Sequence, residues 1–199
     1  MTTNANNKIY LGTFHHTLAS IQQCALCQSN LPLPPRPVIQ LHPNARILII
    51  GQAPGLIAHN SNKPWNDPSG DRLRDWLNVS REQFYNAEYF AIMPMGFCYP
   101  GKKHAGDAPP RPECAPAWHA KIRALLRPDL TILVGRYAQN YYQPQFASIT
   151  DAINNSSAAD NTFVFPHPSG RNNRWLKKNQ AALNSQISAV RNKLARILN

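Results

Sequence analysis

The sequence predicts a single-domain, three-layer α/β/α fold around a central, mainly parallel four-stranded sheet. Three observations predict it. Short, almost continuous apolar runs recur along the chain, as in strands buried on both faces. Stretches with helical spacing separate them, which is the order of parallel strands joined by crossover helices. Each run stops at glycine or proline, so the loops that follow strand ends gather at one edge of the sheet. Ligands of such folds bind outside the carboxyl ends of the strands.

Taken in order, residues 1–20 read as an N-terminal extension with a loose start and a short helix, and residues 21–199 as the domain itself. Cys24 to Pro37 is a proline-rich loop. Arg46-Ile-Leu-Ile-Ile50 is the first strand and ends at Gly51. A helix covers Asp71 to Leu77, with Leu73, Trp76 and Leu77 on one face and Ser69 as its cap. Tyr89-Phe-Ala-Ile-Met93 is the second strand. Ala117 to Leu126 is helical, Leu130-Thr-Ile-Leu-Val134 is the third strand, and Arg136 to Tyr142 starts another helix. Residues 154–161 make a small polar loop. Thr162-Phe-Val-Phe165 is the fourth strand and runs into Pro166-His167-Pro168. The last helix carries Leu183, Ile187, Val190, Leu194 and Ile197, one apolar stripe turned to the core.

Composition narrows the function classes. A chain of 199 residues with 43% hydrophobic content suits one packed domain. Its 18 prolines exceed ordinary usage, roughly 5% of residues, and cluster in 31–37, 94–116 and 165–169, so long ordered loops are expected. Lys and Arg outnumber Asp and Glu by 21 to 10, a formal charge of +11. That excess favours a phosphate-rich partner, because each neutralised phosphate releases counterions; a generic basic protein kept soluble by its charge is the plain alternative. No apolar run is long enough to span a membrane. The polar, Asn-rich start lacks the apolar core of a signal peptide. The expectation is a cytoplasmic monomer with no membrane partner, in which cysteines serve as metal ligands or free thiols rather than disulfides.

Four cysteines are present. Cys24 and Cys27 form a CxxC pair, Cys98 follows far downstream, and Cys114 comes 15 intervening residues later. Four thiolates can hold either a tetrahedral zinc or a [4Fe–4S] cluster, and spacing alone does not separate the two. Four unrelated buried cysteines, behaving as small hydrophobes, remain a third reading.

Three loops carry further chemistry. Gly51-Gln-Ala-Pro-Gly55 follows the first strand, and its glycines permit close approach to a ligand. It is no phosphate-binding P-loop, since no Lys-Ser or Lys-Thr follows; a structural turn is an equal reading. Lys63-Pro-Trp-Asn-Asp-Pro-Ser-Gly70 places the Trp65 ring, the Asn66 amide and the Asp67 carboxylate side by side, groups that can sandwich a flat base and hold a water. Packing of Trp65 on the core is the ordinary alternative. His167-Pro-Ser-Gly-Arg-Asn-Asn-Arg-Trp175 carries Arg171 and Arg174, with Lys177 and Lys178 just beyond. The cations can grip phosphates while Trp175-Leu176 wedges a base stack open. A solvated helix start and a hydrogen-bonded loop histidine are the plainer readings.

Together these residues resemble the uracil-DNA glycosylase superfamily, and most closely its iron–sulfur (family 4-like) branch. In that branch a GEAPG-like loop follows the first core strand, a Pro-Phe loop ends in glycine before a helix, and an HPS motif precedes the DNA-intercalating loop. Here they read Gly51-Gln-Ala-Pro-Gly55, Pro64-Trp65 to Gly70, and His167-Pro-Ser169. Cys24, Cys27, Cys98 and Cys114 reproduce the branch's cysteine pattern, and the resemblance runs from about Cys24 to Lys178. It implies a hydrolase that cuts the N-glycosidic bond of uracil or a related deaminated base in DNA, within base excision repair, and it favours [4Fe–4S] over zinc at the cysteines.

The resemblance also implies roles. Gln52 and Ala53 hold the base through the loop backbone, Trp65 stacks on it where relatives carry phenylalanine, and Asn66 lies beside it. His167 donates to the base oxygen as charge builds, and Asp67 positions water or stabilises the sugar cation. Ser169, Arg171, Arg174 and Lys177 contact DNA. Two departures stand out. Water-activating members carry an acid in or just after the first motif, where this chain has Gln52 and Ala53. Many members place an asparagine on the strand before the third cysteine, where this chain has Met93-Pro94-Met95. The rival reading is a non-catalytic nucleic-acid-binding protein with a four-cysteine metal site.

Overall fold

A computed structural model describes residues 2–104, 106–157 and 159–198, with the side chains of residues 2–6 outside the description. The chain runs α1 (Thr2–Gln22), β1 (Ile47–Ile50), α2 (Leu56–Ser61), α3 (Pro68–Leu77), α4 (Arg81–Tyr85), β2 (Phe90–Ile92), β3 (Lys102–Lys103), β4 (Gly106–Asp107), a π-helical turn at Ala115–His119, α5 (Ala120–Leu125), β5 (Leu130–Val134), α6 (Arg136–Tyr142), α7 (Ile149–Asn154), β6 (Thr162–Phe165), a 3-10 turn at Gly170–Asn172, α8 (Asn173–Lys178) and α9 (Gln180–Leu198). Of the polar loop expected at 154–161, Ala158 lies outside the described residues. No described helix is long and apolar enough to cross a membrane.

The four apolar runs form one sheet in the order β2-β1-β5-β6. Every pairing in it is parallel, with Ile49 opposite Ile92 and Ile132, and Leu133 opposite Val164. The runs are continuously apolar because each face meets its own core. Leu48, Ile50, Met93 and Val164 pack with Phe14, Ile21 and Ile122 on one side. Ile47, Ile49, Ile132 and Phe165 pack with Leu73, Leu77, Leu183 and Val190 on the other. The expected stripe of α9 is buried along its whole length. These two cores make the three-layer α/β/α architecture.

The strand order fixes the place of the site. From β1 the chain turns toward β2 at the sheet edge; from β5 it turns the other way, toward β6. Adjacent strands whose connections diverge leave a crevice at their carboxyl ends. Here that crevice lies between Gly51 and Gly135. The Gln52 side chain fills part of it: a Cβ on Gly135 would stand 2.7 Å from Gln52 Nε2, and Gly135 has φ +91°, so only glycine suits the position.

Several local expectations are corrected. Instead of a loose start and a short helix, α1 is one 21-residue helix, because Phe14 and Ile21 bury against the core and the Tyr10 hydroxyl donates to the Leu125 carbonyl. The cap of α3 is Asp67, not Ser69. Asp67 Oδ1 accepts from the Gly70 amide at 2.8 Å and Pro68 takes the first helical position, where its missing N–H costs nothing. The Trp175-Leu176 pair is half-buried: Leu176 packs partly on the second core and the Trp175 indole donates to Thr150 Oγ1 at 3.1 Å. The antiparallel hairpin β3–β4, with Lys102 opposite Asp107, was not foreseen.

Candidate active site

The loops after β1, β2 and β6 meet around a cleft of about 290 Å³. Gln52, Ala53, Trp65, Asp67, His167, Ser169 and Arg171 all line it. Pro94 and Asp107, from the loop after β2, join them.

The first loop is pinned from below. The Gly51 carbonyl accepts from the Met95 amide at 3.0 Å and the Gln52 carbonyl from the Gly96 amide at 2.9 Å. Met93 and Met95 are buried in the core, so Pro94 is the residue of that stretch that faces the cleft. Its carbonyl is occupied by His119 Nε2 at 3.1 Å, whose Nδ1 pairs with the Tyr142 hydroxyl at 2.7 Å.

Trp65 is the strained member. Its φ is +56°, a region that a bulky side chain rarely adopts. The surroundings hold it there: buried Arg74 donates to the Trp65 carbonyl at 3.2 Å, and the indole edge packs so closely on Gly51 that a Cβ there would stand 2.7 Å from it. Such strain persists only where neighbours over-determine it, and it clusters at functional sites. The ring faces His167, with centroids 5.4 Å apart and planes 33° apart.

His167 is fixed by its own loop. Its carbonyl accepts from the Asn172 amide side chain at 2.7 Å, and its Nδ1 accepts from the Ser169 backbone N–H at 3.3 Å. An N–H donor can meet only an unprotonated Nδ1, so the neutral ring carries its proton on Nε2. Burial, helped by the Arg171 cation, pushes the His167 pKa down to about 4. The imidazole is therefore neutral near pH 7 and a hydrogen-bond donor through Nε2. The ring is half-buried at the wall of the cleft.

Asp67 combines two duties. It caps α3 and lines the cleft. Burial pushes its carboxyl up; the Gly70 hydrogen bond opposes this, and the charges of Asp71 and Asp107 add to it. Asn66, by contrast, is not among the cleft residues; its Oδ1 accepts from Arg81. Arg171 lies at the rim, its guanidinium resting on Gly106, whose φ of +148° and lack of a side chain make room for it. Arg174 and Lys177 are exposed on α8 outside the cleft. Asp107 escaped the sequence reading, although it sits in one of the three strand-following loops and is the acid nearest its glycine.

The cysteines share a second neighbourhood. All four are free, and Cys27, Cys98 and Cys114 are buried. Cys98 and Cys114 each feel the charges of Cys24 and Cys27, and burial pushes their thiols up to about 11 and about 12. Trp118 Nε1 donates to Cys24 Sγ at 3.3 Å, and backbone hydrogen bonds from Arg36 and Phe97 reach Cys98 and Cys114. Among the described residues no three His, Cys, Asp or Glu side chains close on a point that could hold one metal ion. The four thiols lie within each other's electrostatic reach.

A comparison with known families follows the same outline. The sequence model of the Uracil DNA glycosylase superfamily matches residues 39–191. The match spans all four strands, the cleft loops, Cys98 and Cys114, and begins after Cys24 and Cys27.

Proposed function

The chain belongs to the uracil DNA glycosylase superfamily, and from that premise we propose that it hydrolyses the N-glycosidic bond of uracil or a related deaminated base in DNA. The observation that carries this reading is His167, a neutral imidazole with Nε2–H as its donor, set beside the Trp65 ring in the cleft. An extruded base needs a flat apolar partner and a donor for the negative charge it takes away. Trp65 supplies the first and His167 the second. A neutral donor of this kind polarises an oxygen without giving up its proton, and burial is the usual means of keeping it neutral.

The other residues follow from their places. The Gln52–Ala53 backbone, anchored by the Gly96 amide, borders the base. Ser169 and Arg171 stand at the rim for the flanking phosphates, and Arg174 and Lys177 extend that positive edge. Asp67 lines the same cleft and would steady the sugar cation, with one oxygen committed to the Gly70 amide.

The donor set fits an iron–sulfur cluster held by Cys24, Cys27, Cys98 and Cys114, as in the branch the sequence resembles. Four free thiols within one another's electrostatic reach, with hydrogen bonds directed at the sulfurs of Cys24, Cys98 and Cys114, support a shared metal centre, and the resemblance of the cysteine pattern favours the cluster over zinc. When bound, the cluster ties the CxxC loop to the segments before and after β3–β4; the hydrolysis needs no electron transfer.

The test is a single-stranded and a duplex oligonucleotide with one uracil, treated with the purified protein and then alkali. Cleavage at the uracil is expected, and intact strands for uracil, hypoxanthine and xanthine alike would reject the reading. A brown solution containing iron is expected from the same preparation; a colourless one with stoichiometric zinc would reject the cluster.

A further inference from the structure

We infer that Asp107 is the carboxylate that accepts the proton of the attacking water, in place of the acid missing from the Gly51–Gly55 loop. The inference rests on the glycosylase reading above and adds a residue to it.

Asp107 reaches that loop from another part of the chain. Its Oδ2 lies 3.1 Å from the point where a Cβ on Gly55 would stand, so the carboxylate occupies space beside the first loop that a side chain there would take. The backbone behind it is held in three ways. Lys102 pairs with Asp107 across the hairpin, the Ala108 amide donates to the Gly101 carbonyl at 2.8 Å, and the Arg171 guanidinium rests on Gly106. The last contact bridges the hairpin to the loop that carries His167.

Two carboxylates line the cleft, and they differ in what else they do. Asp67 gives Oδ1 to the Gly70 amide as the cap of α3. Among the described residues no donor is bonded to the Asp107 carboxylate, so its lone pairs are free for a water. A general base must keep a lone pair within reach of the proton it takes. Both acids line the one cleft, and Asp67 feels the charge of Asp107.

In the step itself, a water oxygen bonds to the anomeric carbon as the carbon–nitrogen bond breaks. The electron pair of that bond leaves with the base. One water proton passes to Asp107, the base anion is met by His167 Nε2–H and later takes a proton from solvent, and Asp107 returns its proton to solvent. The products are the free base and a DNA strand with an abasic sugar hydroxyl.

The experiment is single-turnover kinetics with saturating protein on a uracil oligonucleotide, for wild type, Asp107→Asn and Asp107→Ala. The expected loss is about 100-fold or more for each, the scale of a general base, with affinity for the oligonucleotide unchanged or tighter. Added formate should restore part of the rate in Asp107→Ala and none in wild type, a rescue that a purely structural residue would not show. Unchanged melting temperatures and absorption spectra would establish that the variants fold. An active wild type with Asp107→Asn within a few-fold of it, or no formate rescue, overturns the inference and leaves the glycosylase reading standing. A wild type inactive on every deaminated base overturns the reading and the inference together.

Discussion

At the scale of single residues, the cleft sets a donor and a ring in a fixed relation and fastens both from behind. His167 is held through Nδ1 and its own carbonyl, and Trp65 through Arg74 and Gly51. Such fastening matters because a group that is already oriented costs no reorganisation when charge develops. His167→Ala removes a donor whose interaction strengthens only as the base departs. The expected outcome is a single-turnover rate lowered by roughly 100-fold or more, on the scale of a lost oxyanion donor, with little change in oligonucleotide affinity because stacking and the basic rim remain. A normal rate with impaired binding would assign His167 to DNA contact instead. The sequence made His167 and Trp65 legible through their motifs. It could not make Asp107 legible, because reaching Gly55 depends on a hairpin of two-residue strands that no periodicity marks.

At the scale of elements, α8 shows how one short segment serves two surfaces. Trp175 and Leu176 turn inward to Thr150 and the second core, and this leaves Arg174, Lys177 and Lys178 exposed. The basic run was readable from composition, whereas the inward turn of its apolar pair was not, since burial there depends on β6 and α7 arriving beside it. Arg174→Ala and Lys177→Ala should each weaken binding to all DNA sequences alike and reduce the salt slope by about one unit, as for one phosphate contact. Titrations at several salt concentrations, on uracil-containing and normal DNA, check this. A slope that stays the same in both variants would place the DNA elsewhere. The cap of α3 teaches a related point: Asp67 and Ser69 are both plausible caps by type, and only the geometry at Pro68 and Gly70 decides between them.

At the scale of the whole molecule, the fold was legible because its signal is collective. Four apolar runs, each bounded by glycine or proline, can be satisfied together only by a sheet covered on both faces, and that covering buries polar groups beside the site. Two histidines record it. His119, 1% exposed and stacked between Phe97 and Tyr142, is pushed by burial from 6.5 down to about 4, and His167 is displaced to about the same value. Both pKa values are depressed by folding, so between 6.5 and about 4 the unfolded chain binds protons that the native chain does not. Their stabilisation is complete above the unfolded value and is lost as pH falls through the folded one. Asp67 works in the opposite sense, because burial raises its pKa and its stabilisation fades as pH rises. It is one group against these two and the buried His59, whose pKa burial also lowers, and His167 is only half-buried, so His119 carries the largest share. Melting temperature should therefore fall steadily as pH is lowered from 6.5 toward 4, with proton uptake on unfolding. His119→Gln should flatten that fall while lowering the melting temperature near neutral pH, since the bonds to Tyr142 and the Pro94 carbonyl are disturbed. A wild-type melting temperature constant across this range would mean that neither ring is held neutral by the fold, and the neutral donor required of His167 would lose its physical basis.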